Sequence, residues 1–514
     1  MLPAIPPRTS PRIGRRAVLA GGLGAAALVL AGCGGGSSSS TDRLRVAFAA
    51  GGSRESLDPH VLPLYVDQAR AKACFDTLTG WSQDMTPEPR LAQSWESDPK
   101  GTRWRLTLRA AKFHDGRDLT ADDVLYTLKR IVDPATTGIA ATLFRDLDLT
   151  ASRAMSPTEV ELVLRRPNTL FPLALGAPGT EIVQQGATGF ERPVGTGPFR
   201  FDSFTPGGPA LYRAFDGHWD GAPAIKELEF LPVNEEEARI GALLSGQVAY
   251  AHDLTPAGAA RLDGSGRATA LAAPAAANQF LVMRVDKPPF ADPRLREAVR
   301  LGIDREELVR VALLGRGRVG NDMFGQGLQY YPGTVPQVTR DVEKAKALVA
   351  QAGAQNATVE LQTSGADPVF DAATALVVRQ LGEIGLKVSA RQLPEDGYFK
   401  TIRKQGVFSQ NSTGTLPIPD YIGRRMLTST PTYDFTGYRS PKIDELYYAA
   451  TATNDDGRRA AGFAKIMELL RADSGALVWG VRDWNVGVAS GLTGLTPARP
   501  NTFAWANFAK ARLG

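Results

Sequence analysis

A chain of 514 residues is too long for one hydrophobic core, because cores stop growing near roughly 250–300 residues, so two or three domains are expected. Its 43% hydrophobic and 22% charged residues exclude disordered and collagen-like classes. The net charge of +5 does not mark a nucleic-acid binder: residues 1–32 hold Arg8, Arg12, Arg15 and Arg16 with no acid or lysine, and without them 55 basic side chains face 54 acidic ones.

The chain opens on a three-part export signal, assigned to residues 1–32. A basic stretch ending in Arg15-Arg16 precedes the apolar run Ala17–Ala31, which leads into Gly32-Cys33. Fifteen residues with Gly21, Gly22 and Gly24 are short for a bilayer-spanning helix, which needs about 20. The twin arginine resembles the signal of the twin-arginine export route, although Val18 stands where phenylalanine is usual. Leu30-Ala31-Gly32-Cys33 resembles a bacterial lipobox, which implies cleavage before Cys33 and a lipid on its sulfur. Residues 33–41, rich in Gly and Ser, form a flexible tether. Cys74 is then the one other cysteine, so no intramolecular disulfide is expected and a small core residue is.

The mature body starts near Leu44, with a first strand over Leu44–Ala49 and a loop at Ser56-Leu57-Asp58-Pro59-His60. Trp104, Leu106 and Leu108 alternate with Arg103, Arg105, Thr107 and Arg109, which predicts a strand with one wet face. Lys112-Phe113-His114-Asp115-Gly116 makes a turn. Thr120 with Asp123 three residues on then opens a helix that ends at Asp133-Pro134. After Gly195-Thr196-Gly197-Pro198 strands return, with Phe199 and Phe201 on one face and another strand over 225–232. A helix through Ile240, Leu243 and Leu244 stops at Gly246. An apolar strand over 280–285 precedes helices opened by Asp292-Pro293 and by Asp304 with Glu307, the latter closed by Gly315. Helix 342–352, helix 370–383, strand 386–393 and helix 458–472 follow, so the chain is α/β throughout.

In order and spacing these segments resemble the family 5 extracellular solute-binding proteins, the oligopeptide-, dipeptide- and nickel-binding components of ABC importers. The likeness is carried by Ser56-Leu57-Asp58-Pro59, Pro89-Arg90-Leu91-Ala92-Gln93-Ser94-Trp95-Glu96, Lys112–Gly116 and Gly195–Phe199. Further on it continues through Leu243–Val248, Pro288–Arg296 with Gly302–Glu306, and Tyr438-Arg439-Ser440-Pro441 with Asp444. The resemblance implies an α/β, two-lobed periplasmic-binding-protein fold (type II, cluster C) with an extra inserted domain. Mapped here, lobe I combines 42–79, 191–272 and 481–514, the inserted domain is 80–190, and lobe II is 273–480. It also implies a small ligand, peptide in the first instance, held between the lobes and handed to ABC permease subunits. The protein is then a monomer, lipid-anchored on the outer face of the membrane, with no cofactor and no nucleic-acid partner.

The expected ligand contacts are Tyr65, Asn278, Gln279, Thr415, Asp420, Arg424, Trp479 and Trp484. In peptide-binding members a Gly-Trp is followed by an acid that pairs with the ligand's amino group. Here Gly414-Thr415-Leu416-Pro417-Ile418-Pro419-Asp420 lacks the tryptophan, and Asp420 is either that acid or the cap of the helix it precedes. Arg424 and Arg425 form either an anion-binding fork or a solvated face. His60, His114, His218 and His252 have no metal-ligand spacing, so no metal site is expected. Gly315-Arg316-Gly317-Arg318-Val319-Gly320 matches GxGxxG but follows a helix, and no GxSxG, HExxH or P-loop is present. The chain is therefore read as no enzyme. The rival readings are an exported hydrolase with an unrecognised site and a surface sensor or chaperone lipoprotein.

Overall fold

The computed structural model describes residues 42–514 apart from 53–54, 62–63, 396 and 427–433; the expected export signal, Cys33 and the expected Gly/Ser tether lie outside the described residues. Two long strands, Ala268–Met283 and Ala476–Ala489, run antiparallel through the middle of an 11-stranded mixed sheet. Outward from Ala476–Ala489 come Tyr250–Leu254, Arg43–Phe48, Glu227–Pro232, Ala210–Ala214 and Phe199–Phe204. Outward from Ala268–Met283 come Phe408–Gly414, Thr358–Thr363 and Lys387–Gln392. The long ladder is interrupted between Ala273 and Ala277, where Ala275 adopts φ 50° and its N–H donates to Asp483 Oδ1 at 3.0 Å. The chain passes from one half of the sheet to the other at this break.

Each half has its own core. Leu44, Val46, Phe48, Tyr212 and Phe230 pack under the first, and Leu281, Met283, Leu361, Val377 and Trp479 under the second. A third cluster, with Trp104, Leu106, Val124, Leu128 and Phe144, belongs to a separate antiparallel sheet ordered Ala92–Ser97, Arg103–Leu108, Glu159–Leu164, Leu147–Ser156. The alternation in Arg103–Leu108 does what it predicts: Trp104, Leu106 and Leu108 are buried while Arg103 and Arg105 face water. Helix Ala121–Val132 begins as the spacing predicts, since the N–H and hydroxyl of Thr120 both donate to Asp123 Oδ2 at 2.9 Å.

Several strands depart from the sequence expectation, those at the centre of the main sheet among them. The strand expected over 280–285 starts at Ala268, and Phe408–Gly414 and Ala476–Ala489 were not expected. Ala272-Ala273-Pro274-Ala275-Ala276-Ala277 is poor in strand-forming residues. Ala272 and Ala273 pair with Asn485 and Trp484 on one side, the ladder lapses over residues 274–276, and pairing resumes at Ala277 with Arg482 on one side and Gly414 on the other.

Several recurring motifs are structural. His114 Nε2 donates to the Gly197 carbonyl at 2.9 Å while its Nδ1 accepts the Gly195 N–H at 3.3 Å, so the Lys112–Gly116 turn and the Gly195–Phe199 segment form one unit. Gly195 and Gly197 lie flat on the helix end at Cys74, and a Cβ on Gly195 would stand 2.0 Å from the Cys74 carbonyl oxygen. Cys74 is buried and burial pushes its thiol pKa up, as for an inert core residue. His60 Nε2 donates to the Glu181 carbonyl at 2.9 Å and its Nδ1 accepts from Arg130, which also pairs with Asp58. Burial pushes both His60 and His114 down to about 4, so both are neutral in the folded protein.

Two outcomes are expected. Unfolded histidine titrates near 6.5 and these two near 4, so between those values the unfolded chain binds the extra protons. Stability is then full above pH 6.5 and falls as pH drops toward 4, by roughly 2–3 kcal/mol from His114 alone. Urea midpoints at pH 7 and pH 5 read this directly, and His114→Gln should flatten part of the slope. Gly195→Ala should destabilise by at least about 1–3 kcal/mol through overpacking against backbone, measured at constant pH in the same titration.

Candidate functional site

Strands Arg43–Phe48 and Tyr250–Leu254 run parallel, and their carboxyl ends open toward the second half of the sheet. In open α/β sheets, such strand ends are where ligands bind. A cleft of about 640 Å³ lies there, within the range of small-ligand sites. The first half contributes Ala49, Leu64, Tyr65, Gln68, Arg239, His252 and Asp253, and the second contributes Ala366, Phe399, Ser412, Thr413, Gly414, Leu416, Arg424 and Arg425. Ile139 and Pro178 come from the 80–190 segment and Asn501 from the C-terminal segment.

The wall on the first half is largely aromatic. Tyr65 opens helix Tyr65–Cys74 and meets Trp484 and Trp505 edge-on, with ring centroids at 5.1 and 5.5 Å. His252 stacks on Phe48 at 4.3 Å and 16°. Burial holds His252 well below the usual imidazole range, and the cations Arg239 and Arg482 push the same way, so the ring is neutral. Asp253 follows in a left-handed conformation at φ 48°, a strain that has to be held by partners. Arg239 holds it, donating to the carbonyls of Val233, Asn234 and Asp253 at 2.9, 2.6 and 3.2 Å. The Asp253 carboxylate accepts from Arg482, a buried residue of the crossing strand, at 3.1 Å.

The wall on the second half is cationic. Helix Ile418–Arg425 presents Arg424 and Arg425 to the cleft. Arg425 Nη2 donates to Thr413 Oγ1 at 3.2 Å. Arg424 Nε donates to Asp420 Oδ1 at 2.9 Å, while its Nη2 is buried with no hydrogen-bond partner. Gly414 lies at the base of the cleft, where an added Cβ would meet the Tyr65 hydroxyl at 2.8 Å. Among the described residues, the charged side chains of the cleft are three arginines and one aspartate. No group of three His, Cys, Asp or Glu among them is placed to hold a metal ion.

Of the sequence-derived contacts, Tyr65 and Arg424 line the cleft. Thr415 sits between two lining residues, but its hydroxyl is turned to the Ala275 carbonyl at 3.3 Å. Asn278 and Gln279 are buried in the crossing strand, and Gln279 Nε2 donates to Asp367 at 3.2 Å. Trp484 backs Tyr65 from behind, and Trp479 is wholly inside the second core. Asp420 does not precede its helix, which begins at Ile418 after Pro417, so it is not the cap. It turns from the cleft into a separate cavity of about 50 Å³ with Arg145, Tyr447 and Tyr448, and burial raises its pKa against the pull of Arg424. The sequence reading missed Arg239, His252, Asp253, Phe399 and Asn501. The available signal was the position of His252-Asp253 at the end of a strand parallel to the first.

Removing the Asp420 carboxylate leaves Arg424 buried without its counter-charge. Asp420→Ala should therefore lower stability by roughly 3 kcal/mol. Asp420→Ser, which restores a capping side chain but no charge, should melt as low as the alanine variant in a thermal denaturation series.

Three comparisons bear on this cleft. The family model for bacterial extracellular solute-binding proteins, family 5 Middle, matches residues 86–434. The glutathione-binding protein GsiB of Escherichia coli strain K12 is 26% identical over 450 residues, covering 84% of this chain and 87% of that protein. Among solved structures, AgaA from A. tumefaciens R10 with agropinic acid superposes with a TM-score of 0.78 at 23% identity, covering 92% of this chain and 99% of that one. DppA from Helicobacter pylori with the peptide STSA gives 0.80 at 20% identity, covering 92% and 98%. These superpositions show a two-lobed periplasmic-binding-protein fold.

Proposed function

The chain belongs to the bacterial extracellular solute-binding proteins of family 5, the binding components of ABC importers, and on that premise we propose that it captures a small peptide or peptide-like solute carrying a free carboxylate. The observation that carries the reading is the two guanidinium groups, Arg424 and Arg425, that line the cleft, where Asp253 is the one lining carboxylate among the described residues and is already paired with Arg482. A guanidinium fork suits a carboxylate, and desolvation in a cleft strengthens the pair. A peptide backbone is supported by strand Phe408–Gly414. Its outer edge pairs with Thr358–Thr363 only at Ser409, so Ser412–Gly414 border the cleft with no strand partner on that edge among the described residues. An extended ligand adds to such an edge by main-chain hydrogen bonds. Relatives named for glutathione, a peptide and agropinic acid are consistent with a solute of this size.

In this reading, lobe I is 42–79 with 191–272 and 481–514, lobe II is 273–480, and 80–190 is an inserted domain. The break at Ala273–Ala277 is the hinge. A ligand touching both lobes favours the closed form by its differential contacts, and the closed form is what the permease receives. Export by residues 1–32 and a lipid on Cys33 tether the protein beside that permease as a monomer.

Native mass spectrometry of the purified protein should show one small molecule per chain, released chemically unchanged. Small-angle scattering should show contraction when it is returned. Peptides with a free carboxylate should bind and their C-terminal amides should bind at least about tenfold more weakly, and Arg424→Met should erase that difference. Amides binding as well as acids would refute the carboxylate, and turnover of added peptides would refute capture altogether.

A further inference from the structure

Four large apolar side chains stand in solvent among the described residues: Met155, Val311, Leu314 and Phe399. Of these, Phe399 lines the cleft. It is the second residue of helix Tyr398–Gln405, which the chain enters through Gly397 at φ 75°. The helix is fastened by other residues. Tyr398 is buried, and its hydroxyl reaches the carbonyl oxygens of Gln362 and Gln410 at 3.0 and 2.8 Å. Ile402, one turn on, and Phe370 complete a small core around it. Phe399 lies about 100° round the helix from Tyr398 and is left out of that core, at 36% exposure. Its ring is nevertheless oriented, edge-on to Tyr398 at 5.3 Å and to Phe370 at 6.5 Å.

An oriented aromatic ring that is exposed at the cleft, and that meets the core of its own helix only edge-on, is placed to pack against a ligand. Leu64, Tyr65 and His252 line the same cleft from the other lobe and are uncharged. A flat or apolar group placed between these walls would bury its own surface and that of Phe399 together, in the offset or edge-on geometry that aromatic pairs favour. We propose that Phe399 is a specificity-determining residue that contacts the ligand, and that the captured solute carries a flat or apolar group of about ring size that closes against it. The proposal rests on the reading of the cleft as the ligand site and adds the chemical character of the group next to the carboxylate.

The probe is 1-anilinonaphthalene-8-sulfonate, an anion with a flat apolar body, titrated by fluorescence into the full mature chain. The wild-type protein should bind one dye per chain. Phe399→Ala should weaken binding by at least about tenfold while melting like wild type in the absence of dye, and Phe399→Tyr should bind within about twofold of wild type. Gly414→Phe, which fills the base of the cleft, should abolish binding. Equal dye affinity in wild type and Phe399→Ala overturns the proposal, as does no binding by wild type. If Phe399→Ala binds normally but Gly414→Phe does not, the cleft stands and the role of Phe399 falls. If neither variant changes binding, both readings fall.

Discussion

Everything about this molecule's working geometry hangs on the side-by-side pairing of Ala268–Met283 with Ala476–Ala489. These two strands belong to both halves of the main sheet, so whatever bends them moves one half against the other. The ladder breaks at Ala273–Ala277, where Ala275 takes a left-handed conformation and is tied to Asp483. A β-bulge of this kind bends a strand locally and leaves the ladder on either side intact. The cores on the two sides are separate sets of side chains, so bending at the break need not repack either one.

Electrostatics are divided between the two walls of the cleft. In the first lobe, polar groups are satisfied within the protein: Asp253 is matched by Arg482, Arg239 donates to three backbone carbonyls, and His252 is kept uncharged by burial beside two cations. In the second lobe, helix Ile418–Arg425 delivers two guanidinium groups to the cleft while its one carboxylate, Asp420, turns away. The pairing of Asp420 with Arg424 at i, i+4 orients the arginine, and the buried Nη2 of Arg424 is left without a hydrogen bond inside the protein. The acid with which the resemblance to peptide-binding members would meet a ligand's amino group thus serves here as an internal counter-ion.

The motifs most conspicuous in the chain turned out to be joints of the scaffold. His114 and Gly195 are 81 residues apart and meet through a neutral imidazole that donates from one nitrogen to Gly197 and accepts at the other. The glycines of that segment are required by a backbone-to-backbone approach that no Cβ would survive. His60, Asp58 and Arg130 make a second such joint. Residues that hold distant segments together keep fixed spacing for reasons of packing, which is why they carry a family resemblance without touching the cleft.

Local periodicity and capping were sufficient to determine most helices and several strands, because those signals act within a few residues: Thr120 with Asp123, Asp304 with Glu307, and the alternation in Arg103–Leu108 each fold as their spacing dictates. The order of motifs determined the family and with it the two-lobed plan. The full length of Ala268–Met283 was hidden because its alanine-rich run with a proline has no strand preference of its own, and its pairing lapses there before resuming at Ala277. Only the tertiary structure decided the cleft, since Tyr65, Asp253 and the pair Phe399 and Arg424 come from distant parts of the chain and their meeting depends on how the sheet closes. It also decided that Asp420 faces inward: one turn apart, it and Arg424 share a helix face, where the short carboxylate stays buried and the longer arginine reaches past it to the cleft.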